Sequence, residues 1–171
     1  MAERPTLVWI PAFSNGQMRR FDSTFYLDDV MLADQFAILD ALVAHTGWNS
    51  IVKCLRGADS SAVLEARVAV ANAPHVVYSE ERLSGVLPRA SAALLDFPSS
   101  AMLECEDAGL PTFVLAYPGL HLRDSGVARQ RLARIAPYAH LDEIAGLLGG
   151  FLGEVDQARS SGAAWTPAGI R

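Results

Sequence analysis

The chain has 171 residues, of which 51% are hydrophobic and 19% charged, enough apolar material for a substantial core and against wholesale disorder. Lys and Arg number 14 and Asp and Glu 19, a net charge of −5, so neither nucleic acid nor anionic lipid is expected to be held by a general basic surface. Two cysteines, Cys54 and Cys105, give no disulfide framework and no four-thiolate zinc site.

The chain opens without a signal-peptide pattern, and no uncharged apolar run is long enough to span a bilayer. These features predict a cytoplasmic protein, at most peripheral to a membrane, with no membrane span. The length suits one domain over 1–159 and a small, polar, flexible tail over 160–171.

Thr6–Ala12 (TLVWIPA) is short, β-rich and apolar, and predicts a buried strand. A long connection follows over 13–27, with an Asn15-Gly16 turn signal and several aromatics. Asp28 and Asp29 supply a capping position and negative charge for a helix to about His45, stopped by Gly47. Ser50–Leu55 is the second strand. Asp59, Ser60 and Ser61 are candidate caps for a helix over roughly 61–72, which Pro74 ends.

His75–Ser79 is the third strand, and Glu81–Arg89 a weak helical segment broken by Gly85 and Pro88. Ala92–Phe97 is the fourth strand, followed by a helix over 99–108 that Gly109 stops. Pro111–Tyr117 is the fifth strand. A helix over 127–134, a short strand over 135–138 and a last helix over 141–158 complete the series. Continuously apolar strands alternating with helices predict an α/β fold: a doubly wound, Rossmann-like parallel sheet of about six strands in three layers.

In open parallel sheets, ligands bind outside the carboxyl ends of the strands. Residues expected at that edge include Ser14 to Gln17, Arg19 and Arg20 after the first strand, and Lys53 and Arg56 at the second. Ser99, Ser100 and Glu104 follow the fourth, and His121 and Arg123 the fifth. Several cations on one edge of an acidic protein suit an anion, above all a phosphate. The competing explanation is a solvated rim on which each cation pairs with a neighbouring acid.

The densest local pattern is Asp96-Phe-Pro-Ser-Ser-Ala-Met-Leu-Glu-Cys-Glu-Asp-Ala-Gly-Leu-Pro. A buried strand runs into a tight turn with two hydroxyls at a helix start. Ser100 and Glu104 lie four apart on one helix side. Ser99, Ser100 and their amides are candidate phosphate donors, and Glu104, a pure acceptor, suits a ribose diol. The plainer alternative is helix capping by Ser99 beside a surface Glu104.

The stretch Arg89–Pro118 resembles the donor-binding half of GT-B-type glycosyltransferases, in the manner of bacterial surface-polysaccharide and CDP-glycerol glycerophosphotransferase-like enzymes. Ser99 and Ser100 match the hydroxyl pair, Glu104 the helical acid, and Gly109 and Pro111 the Gly-x-Pro. Similarity extends to the loop from Pro11 to Arg20 and to Lys53 on the second strand. The Lys-x-His-Pro of many such enzymes is absent, since Lys53 is followed by Cys54, Leu55 and Arg56.

The resemblance implies a nucleotide-sugar or CDP-polyol as substrate, with no separate cofactor. Ser99 and Ser100 would touch the diphosphate and Glu104 the ribose. Asn15, Gly16, Arg19, Arg20 and Lys53 would complete the donor site. It also implies a partner: an acceptor domain, in the same or another chain. A sugar-nucleotide epimerase half-domain and a non-catalytic module for a phospho-ligand or protein are the alternatives. The four dispersed histidines offer no metal spacing, and G-x-S-x-G, P-loop and G-x-G-x-x-G motifs are absent.

Overall fold

In the computed structural model, residues 4–13, 28–116 and 132–167 are described, with the side chains of Asp28 and Asp59 outside the description. The first strand, β1 (Thr6–Ile10), stops where Pro11 removes the N–H that would continue the ladder. The first helix, α1 (Asp28–Ala44), begins at the expected acids, and the Val30 N–H donates to Asp29 Oδ1 at 3.0 Å. Strand β2 (Asn49–Lys53) follows, then helix α2 (Asp59–Ala71).

The start of α2 departs from expectation. Ala58 takes the N-cap position with no side-chain cap, and the Ser61 hydroxyl donates to the Leu55 carbonyl at 2.7 Å instead. The helix ends ahead of Pro74, as expected. Asn72 adopts the left-handed conformation at φ 47° and its N–H returns to the Val68 carbonyl.

Strand β3 (Val76–Ser79) leads to one helical turn, α3 (Leu83–Val86), and a single 3-10 turn over Leu87–Arg89. Strand β4 (Ala92–Leu95) is wholly buried and precedes helix α4 (Ala101–Asp107). Gly109, at φ +72°, makes the reversal into strand β5 (Thr112–Ala116), as its place in the sequence suggests.

The expected helix over 127–134 lies outside the described residues up to 131. Its last two positions are strand, because β6 runs over Ala133–Pro137. The last helix, α5 (Glu143–Ser161), is longer than expected and ends on left-handed Gly162. Where a fraying tail is expected from Ser160, the helix continues. Trp165, 8% exposed, returns edge-on to Phe151 at 5.7 Å, which itself stacks on Phe113 at 4.9 Å.

All six strands form one parallel sheet in the order β3-β2-β1-β4-β5-β6. Alternate residues serve its two faces. Leu7, Trp9, Val52, Leu94, Phe113 and Leu115 share one apolar layer with α1, α2 and α5. Val8, Ile51, Ala93, Leu95 and Val114 face the other way, against Val86 and Leu87 and against Ala101, Met102 and Cys105 of α4. The protein is thus a three-layer, Rossmann-like α/β fold. Among the described residues, no helix is long and apolar enough to cross a membrane.

The strand order has one consequence for function. The chain winds outward from β1 to β3, then returns to lay β4 on the other side of β1. The crossovers from β1 and β4 therefore leave in opposite directions, which makes their carboxyl ends the topological switch point where open α/β sheets receive ligands.

Candidate functional site

The β1/β4 switch point is organised by one buried carboxylate. Asp96, the residue after β4, is 5% exposed. Its Oδ1 accepts the Ala12 N–H at 2.5 Å, just beyond the end of β1. Its Oδ2 accepts the Gln35 amide Nε2–H at 2.9 Å, and the same amide nitrogen donates to the Ala12 carbonyl at 2.7 Å. Ala12 is thereby gripped at both its N–H and its carbonyl, and β1, α1 and β4 are tied together at one point.

The cluster is electrostatically tense. Burial pushes the Asp96 carboxyl up to about 6. The Ala12 and Gln35 hydrogen bonds pull the other way, and nearby Asp34 adds to the rise. Gln35 is fully buried, and its Oε1 accepts no hydrogen bond among the described residues. Both donated bonds run to acceptors, so the amide orientation is fixed by its partners.

Two residues beyond Asp96, Pro98 turns the chain and the two serines follow. Ser99 and Ser100 are exposed, as is Glu104. Ser100 occupies the N-cap position of α4 without a side-chain cap, so capping does not occupy its hydroxyl. Backbone carbonyls hold the turn instead: Ser99 accepts from the Met102 N–H at 3.0 Å and Ser100 from the Leu103 N–H at 3.0 Å. The opposite side of the helix is anchored by Ala101, Met102 and Cys105, all buried. The same turn therefore presents Ser99, Ser100 and Glu104 to solvent beside the Asp96 clasp.

Lys53 ends β2, one strand removed from β4 across β1. Its ammonium folds back onto the neighbouring Cys54 carbonyl at 2.6 Å. Arg56 faces Glu80 across 3.9 Å in a largely exposed ion pair. For Arg56 the solvated-rim explanation therefore holds. The sequence candidates Asn15, Gly16, Arg19 and Arg20 lie outside the described residues, as do His121 and Arg123.

Two thiols and a phenol near this edge are also shifted. Burial pushes the Cys54 thiol up to about 12, with the Ser61 hydrogen bond and Lys53 opposing, and burial likewise takes Cys105 to about 12. Tyr78 is also raised, first by burial and then by its 2.9 Å hydrogen bond to Glu80. None of these is a nucleophile near neutral pH. Among the described residues no group of three or more His, Cys, Asp and Glu could hold a metal ion.

Sequence reading named Ser99, Ser100, Glu104 and Lys53 but passed over Asp96 and Gln35 as functional residues. Gln35 interrupts the apolar stretch of α1 one residue after Asp34, and buried polar groups are ordinarily paired. That interruption was the available signal. Neither a family model nor a curated protein matches this chain.

Proposed function

We propose that the chain is the donor-binding domain of a glycosyltransferase-like enzyme of surface-polysaccharide synthesis, and that the β1/β4 corner receives the diphosphate of a nucleotide-sugar or CDP-polyol. The observation that carries this reading is the juxtaposition at Asp96. A buried clasp fixes the exit of β1 beside a turn whose two hydroxyls are exposed and free of any capping role. A ligand that straddles a topological switch point needs such a rigid floor with donors above it.

In this reading Ser99 and Ser100 donate hydrogen bonds to the diphosphate oxygens. Glu104, one helical turn on, accepts from the ribose diol. Lys53 exchanges its Cys54 carbonyl for the phosphate, a stronger charge-assisted partner. Arg19 and Arg20, carried by the connection after β1, add positive charge. The chemistry is displacement at the donor's activated carbon or phosphorus, with the nucleoside phosphate leaving. The cations and hydroxyls stabilise the charge that develops on that leaving group. A second domain or chain holds the acceptor.

Calorimetric titration with uridine, cytidine and guanosine diphosphates tests this. One of them binds with a dissociation constant below about 1 mM, and the Ser99→Ala/Ser100→Ala variant binds it about tenfold more weakly. Absence of binding by all three at millimolar concentration defeats the reading.

A further inference from the structure

We infer that the opposite, amino-terminal edge of the sheet carries a second and separate site, for a small organic phosphate. A cavity of about 570 Å³ opens there, reached by arginines from three different parts of the chain. Arg4 stands just ahead of β1, Arg89 closes the 3-10 turn before β4, and Arg159 lies in the last turn of α5. No aspartate or glutamate lines the cavity. In a chain with 19 acids against 14 bases, a lining that holds three arginines and His75, with one arginine paired to Glu81 outside it, runs against the overall charge.

The segments that bring these arginines together are held by backbone hydrogen bonds. The Asn49 N–H donates to the Pro5 carbonyl at 2.9 Å, and the Ser91 N–H to the Thr6 carbonyl at 2.7 Å. Two of the arginines are oriented as well. Glu81 pairs with Arg89, and its carboxylate lies so close over Gly85 that a Cβ there would meet Glu81 Oε1 at 2.5 Å. The Arg159 guanidinium rests 5.9 Å over the Trp48 ring. An arginine carries five N–H donors in a fixed fork, so one that is paired or stacked on one side still offers donors on the other.

The cavity also has an apolar wall. Ile51 and Val77 are register partners on β2 and β3 and so project from the same sheet face. Val77 stays 50% exposed, since α3 and α4 pack over the central strands rather than over β3. A cationic rim beside an apolar wall matches a ligand with a phosphate at one end and a nonpolar or flat body at the other. The volume lies within the range of small-molecule pockets. This site does not depend on the donor reading of the β1/β4 corner.

The test follows the arginine Nε–H signals of the full chain by nitrogen-15 NMR during titration with phenyl phosphate and, separately, inorganic phosphate. Phenyl phosphate moves the Arg4, Arg89 and Arg159 signals together, with one dissociation constant below about 1 mM, and inorganic phosphate binds about fivefold more weakly. The Arg4→Gln/Arg159→Gln variant weakens phenyl phosphate about tenfold. Should that variant fail to fold, Arg4→Gln alone, which lies ahead of the first strand, shows a loss of about threefold. No saturation below about 10 mM overturns the inference, as does unchanged affinity in the arginine variants. Equal affinity for inorganic phosphate overturns its organic part. Loss of phenyl phosphate binding in Ser99→Ala/Ser100→Ala places the anion at the other edge, and overturns it too.

Discussion

Gln35 and Asp96 stand 61 residues apart in sequence and meet in a buried 2.9 Å hydrogen bond, amide to carboxylate, at the carboxyl ends of β1 and β4. A half-made version of this contact is costly. The carboxylate has left water, and its compensation comes from the Gln35 amide and the Ala12 N–H.

Replacing Gln35 by Met keeps the volume of α1's buried side and removes both donated bonds. Asp96 then loses one of its donors and the Ala12 carbonyl loses the Gln35 amide. The expected cost is about 1–3 kcal/mol at pH 7, read from urea unfolding. The Asp96 carboxyl should also titrate higher than about 6 in the variant, because a bond that favours its charged form is gone.

The pH dependence of stability follows from the raised carboxyl. Asp96 titrates near 3.8 when unfolded and about 6 when folded. Between those values the folded state binds more protons than the unfolded state, so stability falls as pH rises from about 4 to 6. The contribution is about 3 kcal/mol, fully lost above the folded value. Asp96→Asn removes this component. Denaturant midpoints measured across pH 4–7 should therefore decline more steeply in the wild type than in the variant. Parallel curves refute the assignment.

Ser99, Ser100 and Glu104 are exposed, and no side-chain hydrogen bond caps α4. Replacing the two serines, or Glu104, by alanine should change stability by less than about 0.5 kcal/mol. The same variants should weaken nucleoside diphosphate binding about tenfold. Thermal melting and calorimetry on the same samples separate the two effects. A large fall in melting temperature with unchanged binding assigns the turn a structural role.

Trp165 belongs to the core through Phe151 and Phe113, although it follows the last helix. Trp165→Ala should cost about 3 kcal/mol, since it empties a large aromatic contact. Thermal unfolding of this variant, compared with one altered at exposed Ser160, isolates that contribution.

Both thiols are buried and pushed up to about 12. Cys54 and Cys105 should resist iodoacetamide at pH 8 in the native protein and react at the ordinary rate in denaturant. Fast modification of either thiol in the native state contradicts their placement.

Much of the fold is legible in the sequence because the strands carry their burial with them. Leu94, Phe113 and their neighbours are apolar without interruption, as strands covered on both faces require. Gly109 marks its turn through a conformation that favours glycine. The start of α2 is not legible, since three polar residues offer themselves as caps, while the N-cap position falls on Ala58 and the Ser61 hydroxyl donates to the Leu55 carbonyl. The site is half legible. Ser99, Ser100 and Glu104 are close in sequence and share a turn. The Asp96 clasp depends on long-range register, which no local pattern encodes. Trp165 is missed for the same reason: its partners are ring neighbours across the core.

The strand order also divides the sheet by sequence. Residues through Ser79 build β1, β2 and β3, while β4, β5 and β6 come from the rest, so the fold is two three-stranded blades abutting along a single seam. The last helix belongs by sequence to the second blade yet packs on α1 of the first, like a buckle drawn across the join. A chain nicked in the exposed turn at Glu81 and Arg82 should therefore stay associated for as long as that buckle remains fastened.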